Sequence, residues 1–141
     1  MINHEAALQA ALIARLRGDD ALDALTGGRI WDGEPAKRVF PYVTVSRVES
    51  RPVRADGGGV EQVLTLTGHS RFEGLEEARA MSAAIRAALH EADLTAYLAA
   101  EGVRVVNPRV TFADVFGSPE GRRSHAVVRV RAVTEAVASG A

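Results

Sequence analysis

The chain has 141 residues, 47% of them hydrophobic and 25% charged, which is the balance of an ordinary globular domain. Its 17 basic and 18 acidic residues give a formal net charge of -1, whereas dedicated nucleic-acid binders usually have a basic excess. The lack of cysteine and of any long apolar run excludes disulfides, thiolate metal sites and transmembrane helices. Because the first residues do not resemble a signal peptide, we expect one soluble, cytoplasmic domain over residues 1–141.

Two helices are predicted at the start of the chain. Leu8, Leu12 and Leu16 recur every four residues, which indicates one buried face of a helix. Asn3 is a suitable N-cap for this helix, and Gly18 is a suitable residue to end it. The segment DDALDALTGG then predicts a short second helix that begins at an aspartate and ends at the glycine pair.

The next segments predict a β-hairpin. After a short strand in RIWDG, the segments PYVTVSRVES and VEQVLTLTGHSR both alternate between apolar and polar residues, as half-buried strands do. Between them lies RPVRADGGG, whose proline and three glycines disfavour regular structure. We therefore expect a long antiparallel hairpin with a flexible loop at about residues 50–59. We also expect this loop to become ordered only against a partner.

A long helix and a second hairpin complete the chain. Leu75, Ile85 and Leu89 belong to an apolar stripe that predicts a helix over residues 74–92. The segments VRVVNPRVTFADVF and SHAVVRVRAVTEAV predict two further strands, and we expect a frayed tail over about residues 136–141. Strand pairs separated by one helix predict an α+β fold, with a mostly antiparallel sheet packed by the long helix and the N-terminal helix.

The last strand has two chemically different faces. Ala126, Val128 and Val130 fall on one side of the strand, whereas Arg129 and Arg131 fall on the other. Because side chains alternate across a strand, we expect one face to be buried and the other to be basic and exposed.

No set of residues predicts catalysis, a cofactor site or a metal site. The four histidines are scattered without ligand spacing. Ser124, His125 and Asp114 invite comparison with a hydrolytic triad, but no nucleophile elbow surrounds the serine. A turn serine and an exposed strand histidine are the favoured interpretation. The glycine triplet lacks the lysine and hydroxyl residues of a phosphate-binding loop.

Arginines near the predicted turns and on the last strand are the candidate functional residues. Arginine is enriched at protein interfaces, and aromatic residues at 5% are too few for a base-stacking surface. We therefore expect a protein interface that includes the glycine-rich loop. Its candidate residues are Arg47, Arg51, Arg54, Asp56, Gly57, Gly58, Gly59, Arg122, Arg123, Arg129 and Arg131.

Several segments together resemble one known family. They are GGRIWDG, FPYV, GHSR before the long helix, FADVF and EGRRSH, in an arrangement that extends over about residues 5–135. The chain resembles the tail terminator, or tail completion, proteins of long-tailed bacteriophages and of phage-like gene transfer agents. None of these segments is a catalytic motif, so the resemblance supports the fold more directly than the role.

The resemblance implies a structural virion protein that forms a ring, typically a hexamer. Such a ring caps the head-proximal end of the tail tube, stops its polymerisation and joins the head connector. Its partners are other copies of the chain, the tube protein and connector or adaptor proteins, and DNA passes only transiently through the lumen. Assembly takes place in the host cytoplasm. Because a strongly basic lumen would retain DNA, we expect Arg129 and Arg131 to face a protein.

Two alternatives remain open at this point. The first is a head-closure or adaptor subunit of the neck, which the same resemblance allows. The second is a small hydrolase that uses Ser124, His125 and Asp114.

Overall fold

The computed structural model of the chain describes residues 2–53, 58–98 and 100–137. Helices and strands follow one another in the order expected of an α+β fold. The elements are α1 His4–Arg17, α2 Asp20–Thr26, β1 Ile30–Trp31, β2 Tyr42–Pro52, β3 Val60–Ser70, α3 Glu76–Leu89, α4 Thr95–Leu98, β4 Val103–Gly117 and β5 Ser124–Ala136. Within the described parts of the chain, no helix has the length and hydrophobicity that a membrane crossing requires.

The strands form one sheet in the spatial order β1-β2-β3-β5-β4. All neighbouring strands are antiparallel except β1 and β2, which are parallel, so the sheet is mostly antiparallel, as predicted. The strand that comes last in sequence, β5, lies between β3 and β4 and is hydrogen-bonded to both. One long connection through α3 therefore separates β3 from the hairpin formed by β4 and β5.

Side-chain caps fix the starts of the first two helices. The Asn3 side chain accepts a hydrogen bond from the Ala6 N–H at 2.9 Å, and that of Asp19 accepts one from the Leu22 N–H at 3.0 Å. Each bond satisfies a backbone donor that has no partner inside its helix, so the predicted cap at Asn3 is confirmed, and of the two aspartates that could cap α2 it is Asp19 that does so. Gly27 ends α2 in the left-handed conformation, with φ at 59°.

The core lies between the helices and one face of the sheet, which we call the helix-covered face. Leu64, Leu66 and Val130 point from β3 and β5 toward Ile85 and Leu89 of α3, and all of these residues are fully buried. The predicted burial of Ile85 and Leu89 is therefore confirmed, whereas α3 is shorter than the predicted 74–92 and Leu75, its N-cap, is only half-buried. Burial of each such aliphatic side chain contributes about 1.5–3 kcal/mol to the free energy of unfolding.

Close packing at one point of this face requires a glycine. A Cβ at Gly68 of β3 would lie 3.1 Å from the sulfur and 3.2 Å from the terminal methyl carbon of Met81 in α3. These distances are shorter than normal van der Waals contacts, so α3 can approach β3 this closely only where the strand has no side chain.

The first hairpin is longer than the sequence predicted. We expected a loop at about residues 50–59, but β2 continues through Pro52, and Val53 N–H still donates to Gly59 O at 2.8 Å. Pro52 is compatible with the strand because its backbone nitrogen points to the edge of β2 that no neighbouring strand covers. At this edge the missing N–H breaks no hydrogen bond between strands. The remaining loop residues, including Arg54, Asp56 and Gly57, lie outside the described residues.

The end of the chain is also more regular than predicted. Ala136 belongs to β5, and the N–H of Val137 donates to Gly102 O at 2.8 Å. The expected fraying therefore does not apply to these two residues, because backbone pairing next to the start of β4 holds them. Residues 138–141 lie outside the described residues.

Candidate interface on the open face of the sheet

The opposite side of the sheet, which we call the open face, bears most of the polar side chains of β2, β3 and β5. Along β5, Val128 and Val130 are buried, whereas Arg129 and Arg131 between them are exposed. This confirms the predicted division of β5 into a buried and a basic face. Residues on this face can contact another molecule without disturbing the core.

Glu61 binds two of the predicted interface arginines. Its carboxylate accepts bonds from Arg51 Nε at 3.1 Å and Nη2 at 2.8 Å, and its second oxygen accepts one from Arg131 Nη2 at 2.8 Å. The hydrogen bond from Arg131 is the main reason that the pKa of Glu61 lies below its ordinary value, and Arg51 lowers it further. Arg51 and Arg131 therefore already have a carboxylate partner within the chain.

The other predicted arginines on this face have different contacts. The guanidinium of Arg129 lies 4.6 Å from the ring centroid of Phe112, which is 42% exposed. Arg47 forms an exposed ion pair with Glu49 at 3.2 Å. Stacking on a ring holds a guanidinium flat and leaves its edge free to bind a carboxylate. The open face thus combines aromatic surface with oriented arginines.

At the other end of the open face, a polar cluster is partly enclosed. The rings of Tyr42 and His69 stack with centroids 4.4 Å apart, and His69 Nε2 lies 3.0 Å from Thr44 Oγ1. Tyr42 donates to Glu34 at 3.0 Å, so the loop between β1 and β2 covers this end of the sheet. Burial lowers the pKa of His69 to about 4, against the smaller opposite effect of Glu34.

Next to this cluster, the connection between β4 and β5 provides two more of the predicted arginines. Arg123 and Arg71 both lie over the ring of Phe40, with distances of 5.1 Å and 4.2 Å to its centroid. Arg122 is exposed at the turn itself. The turn arginines are therefore near one end of the open face and far from Glu61, so the predicted interface residues form two separate groups.

The structure does not assemble the residues of the hydrolase alternative. Ser124 is buried on the helix-covered face, whereas the next residue, His125, points to the open face beside Phe116. Asp114 lies opposite Val127 in the β4–β5 ladder, and no hydrogen bond joins it to His125 among the described residues. A serine and a histidine on opposite faces of one strand cannot exchange a proton, so this alternative is wrong in its geometry.

The described glycines of the triplet shape the hairpin. Gly58 has a φ of 63°, and the carbonyl of the buried Gly59 accepts the bond from Val53. The carbonyl of Gly59 thus extends the pairing of the hairpin beyond the ends of β2 and β3. Across the residues that the structure describes, no group of three or more histidine or acidic side chains is placed to bind a metal.

Sequence reasoning missed the residues that organise this surface. Glu61 lies only ten positions from Arg51 in the sequence, but Arg131 is 70 positions away and is brought close by the pairing of β3 with β5. Phe112, Asp114 and Phe116 occupy every second position of β4, so they share one face of the strand, and this spacing is the available signal for an exposed aromatic surface. Both are 42% exposed, which is unusual for phenylalanine.

Comparison with known proteins identifies a family and a solved structure that are similar to this chain. The family model for Tail completion protein gp17 matches residues 10–135. A chain in the solved structure of the virion of a native gene transfer agent particle is similar, with a TM-score of 0.81 at 26% sequence identity, and the match covers 93% of this chain and 96% of that chain. No curated protein sequence matches significantly. Since the family match extends over most of the chain, the resemblance seen in the sequence is confirmed, and the protein belongs to the Tail completion protein gp17 family.

Proposed function

We propose that this protein is a tail terminator, which forms a ring on the head-proximal end of a tail tube. The ring stops polymerisation of the tube and provides the joint to the head connector. The main support is the nearly complete structural match to a chain of a gene transfer agent virion, which includes helices, sheet and connections alike. A fold that matches this chain over nearly its whole length suits a subunit of such a particle.

The surface of the protomer is suited to such an assembly. A closed ring requires that two different patches on one protomer fit each other, so that each copy contacts the next in the same way. The open face and the outer surfaces of the helices differ in chemistry, and Phe72, Phe112 and Phe116 remain exposed. Exposed aromatic residues next to arginines are common where proteins bind one another.

We further propose that the ring is a hexamer that contacts the tube protein on one side and connector or adaptor proteins on the other. The predicted interface residues from Arg47 to Gly59, with Arg122, Arg123, Arg129 and Arg131, supply these contacts. In this proposal, assembly takes place in the host cytoplasm, and the ring then remains in the tail of a phage-like particle.

The charge of the open face is compatible with transient passage of DNA through the ring. Glu61 neutralises part of the charge of Arg51 and Arg131, and the whole chain has a net charge of -1. Because affinity for DNA grows with the number of phosphate contacts, a lumen of mixed charge would release DNA that a basic lumen would hold.

Electron microscopy and sedimentation of the purified protein, alone and with the tube protein, test this proposal. We expect closed rings, and we expect tubes assembled in the presence of the protein to be short and capped at one end. Matched samples without the protein should give long, uncapped tubes. A protein that stays monomeric in both samples would contradict the proposal. Rings that bind connector proteins but never the tube would instead indicate the neck-adaptor alternative.

A further inference from the structure

The outer edge of β4 is covered along only part of its length. Near the middle of the strand, the N–H of Val110 donates to His90 Nδ1 at 3.1 Å, and the carbonyl of Pro108 accepts from the Glu91 N–H at 2.7 Å. Beyond these bonds, residues 111–117 lie at the edge of the sheet, and no other described segment is hydrogen-bonded to their outer side. An uncovered strand edge presents unpaired donors and acceptors that favour pairing with another strand.

The ladder identifies which backbone groups of this edge point outward. In an antiparallel ladder, residues that face the partner alternate with residues that face away. The N–H of Val110 points outward, which shows which residues of β4 face away from β5. Beyond the bulge before Phe112, the register with β5 gives the same alternation, starting with Phe112 facing β5. It follows that the N–H and C=O groups of Ala113, Val115 and Gly117 point away from the sheet.

The opposite edge of the sheet has an uncovered segment of the same length. β1 pairs only with the start of β2, where the N–H of Val43 points outward to Arg29 O. After the β-bulge between Val45 and Arg47, the same alternation makes the backbone groups of Val48 and Ser50 point outward, together with the carbonyl of Pro52. No described segment pairs with this part of β2 on its outer side. Counted from the first to the last outward-pointing residue beyond each bulge, the two segments, 113–117 and 48–52, each contain five residues.

We infer that the β4 edge of one copy pairs with the β2 edge of the next, so that the sheets of the ring are joined. This inference rests on the proposed ring. The strands alternate in direction from β2 to β4, so a neighbour rotated about an axis parallel to the strands places its β2 antiparallel to β4. When segments 113–117 and 48–52 are aligned end to end, Val115 lies opposite Ser50. The outward N–H of each of these two residues then donates to the outward C=O of the other.

Charge favours this register over its nearest competitor. In the proposed register, Asp114 of one copy lies opposite Arg51 of the next on the open face. A slip of two residues would keep the hydrogen-bond pattern but would place Asp114 opposite Glu49, which is repulsive. The side chain of Arg51 is 75% exposed even though it binds Glu61, so it can bind a second carboxylate. The occupant of the edge is thus a second copy of this chain in one defined register.

Disulfide trapping tests the register directly, because the natural chain has no cysteine. The double variant Asp114→Cys/Arg51→Cys places two thiols at directly opposed positions, where the Cα atoms of an antiparallel pair lie about 4.5 Å apart. The matched control, Asp114→Cys/Ser50→Cys, moves one thiol to the neighbouring residue, which points to the other face. Under mild oxidation, we expect ladders of covalent oligomers from the first variant and monomers from the control on denaturing gels.

The outcomes separate this inference from the proposed function. Rings visible by electron microscopy without cross-links in the first variant would overturn the edge pairing and leave the ring in place. Absence of rings from the unmodified protein, alone and with the tube protein, would overturn both. Cross-linking of both variants to the same extent would exclude the proposed register.

Amide hydrogen exchange gives a second test that needs no substitution. The amides of Val48, Ser50, Val115 and Gly117 should exchange fast in the isolated protomer and become protected in the ring. The amide of Asp114, which points into the sheet, should be protected in both states and serves as an internal reference. Fast exchange of the first four amides in the assembled ring would overturn the pairing.

Discussion

The two faces of the sheet are made by the same strands but tolerate different chemistry. On the helix-covered face, Leu64 and Val130 are fully buried, and a methyl group at Gly68 would fit only if Met81 shifted. On the open face, the residues next to Leu64 and Val130 in sequence are valine, threonine and two arginines, and they are half-buried or exposed. The comparison teaches that one residue step along β3 or β5 separates a position that stabilises the protomer from a position available for assembly.

The largest expected contrast between the faces comes from two truncations. Leu89→Ala removes a side chain that is fully buried against the sheet and should lower the free energy of unfolding by about 2–5 kcal/mol. Phe112→Ala on the open face should cost much less, because the ring is already 42% exposed. Chemical denaturation of both variants measures the difference. Equal losses would show that the open face also belongs to the core.

A smaller effect is expected at Gly68. In Gly68→Ala, the new methyl group would lie within 3.1–3.3 Å of three Met81 atoms, and overpacking of this kind costs about 1–3 kcal/mol. Met81→Ala creates space at the same point, so the two substitutions together should cost less than the sum of each alone. Thermal unfolding of the two single variants and the double variant measures this coupling, and strict additivity would contradict the contact.

Burial of His69 at the covered end of the open face predicts that the stability of the protein depends on pH. Burial lowers the pKa of His69 to about 4, whereas the pKa of this side chain in the unfolded chain should be at its ordinary value of 6.5. As the pH falls, His69 therefore gains a proton in the unfolded state before it does so in the folded state. Its contribution to the free energy of unfolding is fully present above pH 6.5 and is lost as the pH falls toward 4. We expect this loss to be about 1–3 kcal/mol and to be reduced in His69→Gln. Unfolding free energies measured from pH 7 to 4.5 test this, and parallel curves would contradict it.

The smallest effect is expected at Glu61. Its pKa lies below its ordinary value of 4.5, with Arg131 as the main cause, so the stability it contributes is lost as the pH falls through the folded-state pKa. NMR titration of the carboxylate should show a larger upward shift of this pKa in Arg131→Gln than in Arg51→Gln. The reverse order would mean that Arg51 is the main partner.

Local patterns in the sequence predicted the features that depend on a few neighbouring residues. The N-cap Asn3, an aspartate cap on α2, burial of Ile85 and Leu89 in α3 and the two faces of β5 all follow from such patterns, and these are confirmed. They could be predicted because helix and strand periodicity determines which side chains share a face. The family resemblance, which depends on several segments in order, was also confirmed.

Features that depend on strand register could not be predicted in the same way. The pairing of Glu61 with Arg131 requires the alignment of β3 with β5 across the long α3 connection, and no local pattern specifies it. The length of the first hairpin was underestimated because Pro52 normally signals the end of a strand, although it is allowed at an uncovered edge. The triad was disfavoured from the sequence because no nucleophile elbow surrounds Ser124, and the opposite orientation of Ser124 and His125 on β5 adds an independent reason against it.

The central place of β5 in the sheet has a consequence for the order of events during synthesis. Residues of β3 pair with residues that are translated 62 to 74 positions later, since Leu66 pairs with Val128 and Val60 with Thr134. Until β5 leaves the ribosome, β3 and β4 have no strand between them, and the apolar surface of α3 lacks most of its sheet. The protomer therefore completes its folding only when translation of the described chain is nearly finished, so a nascent subunit cannot enter a growing particle.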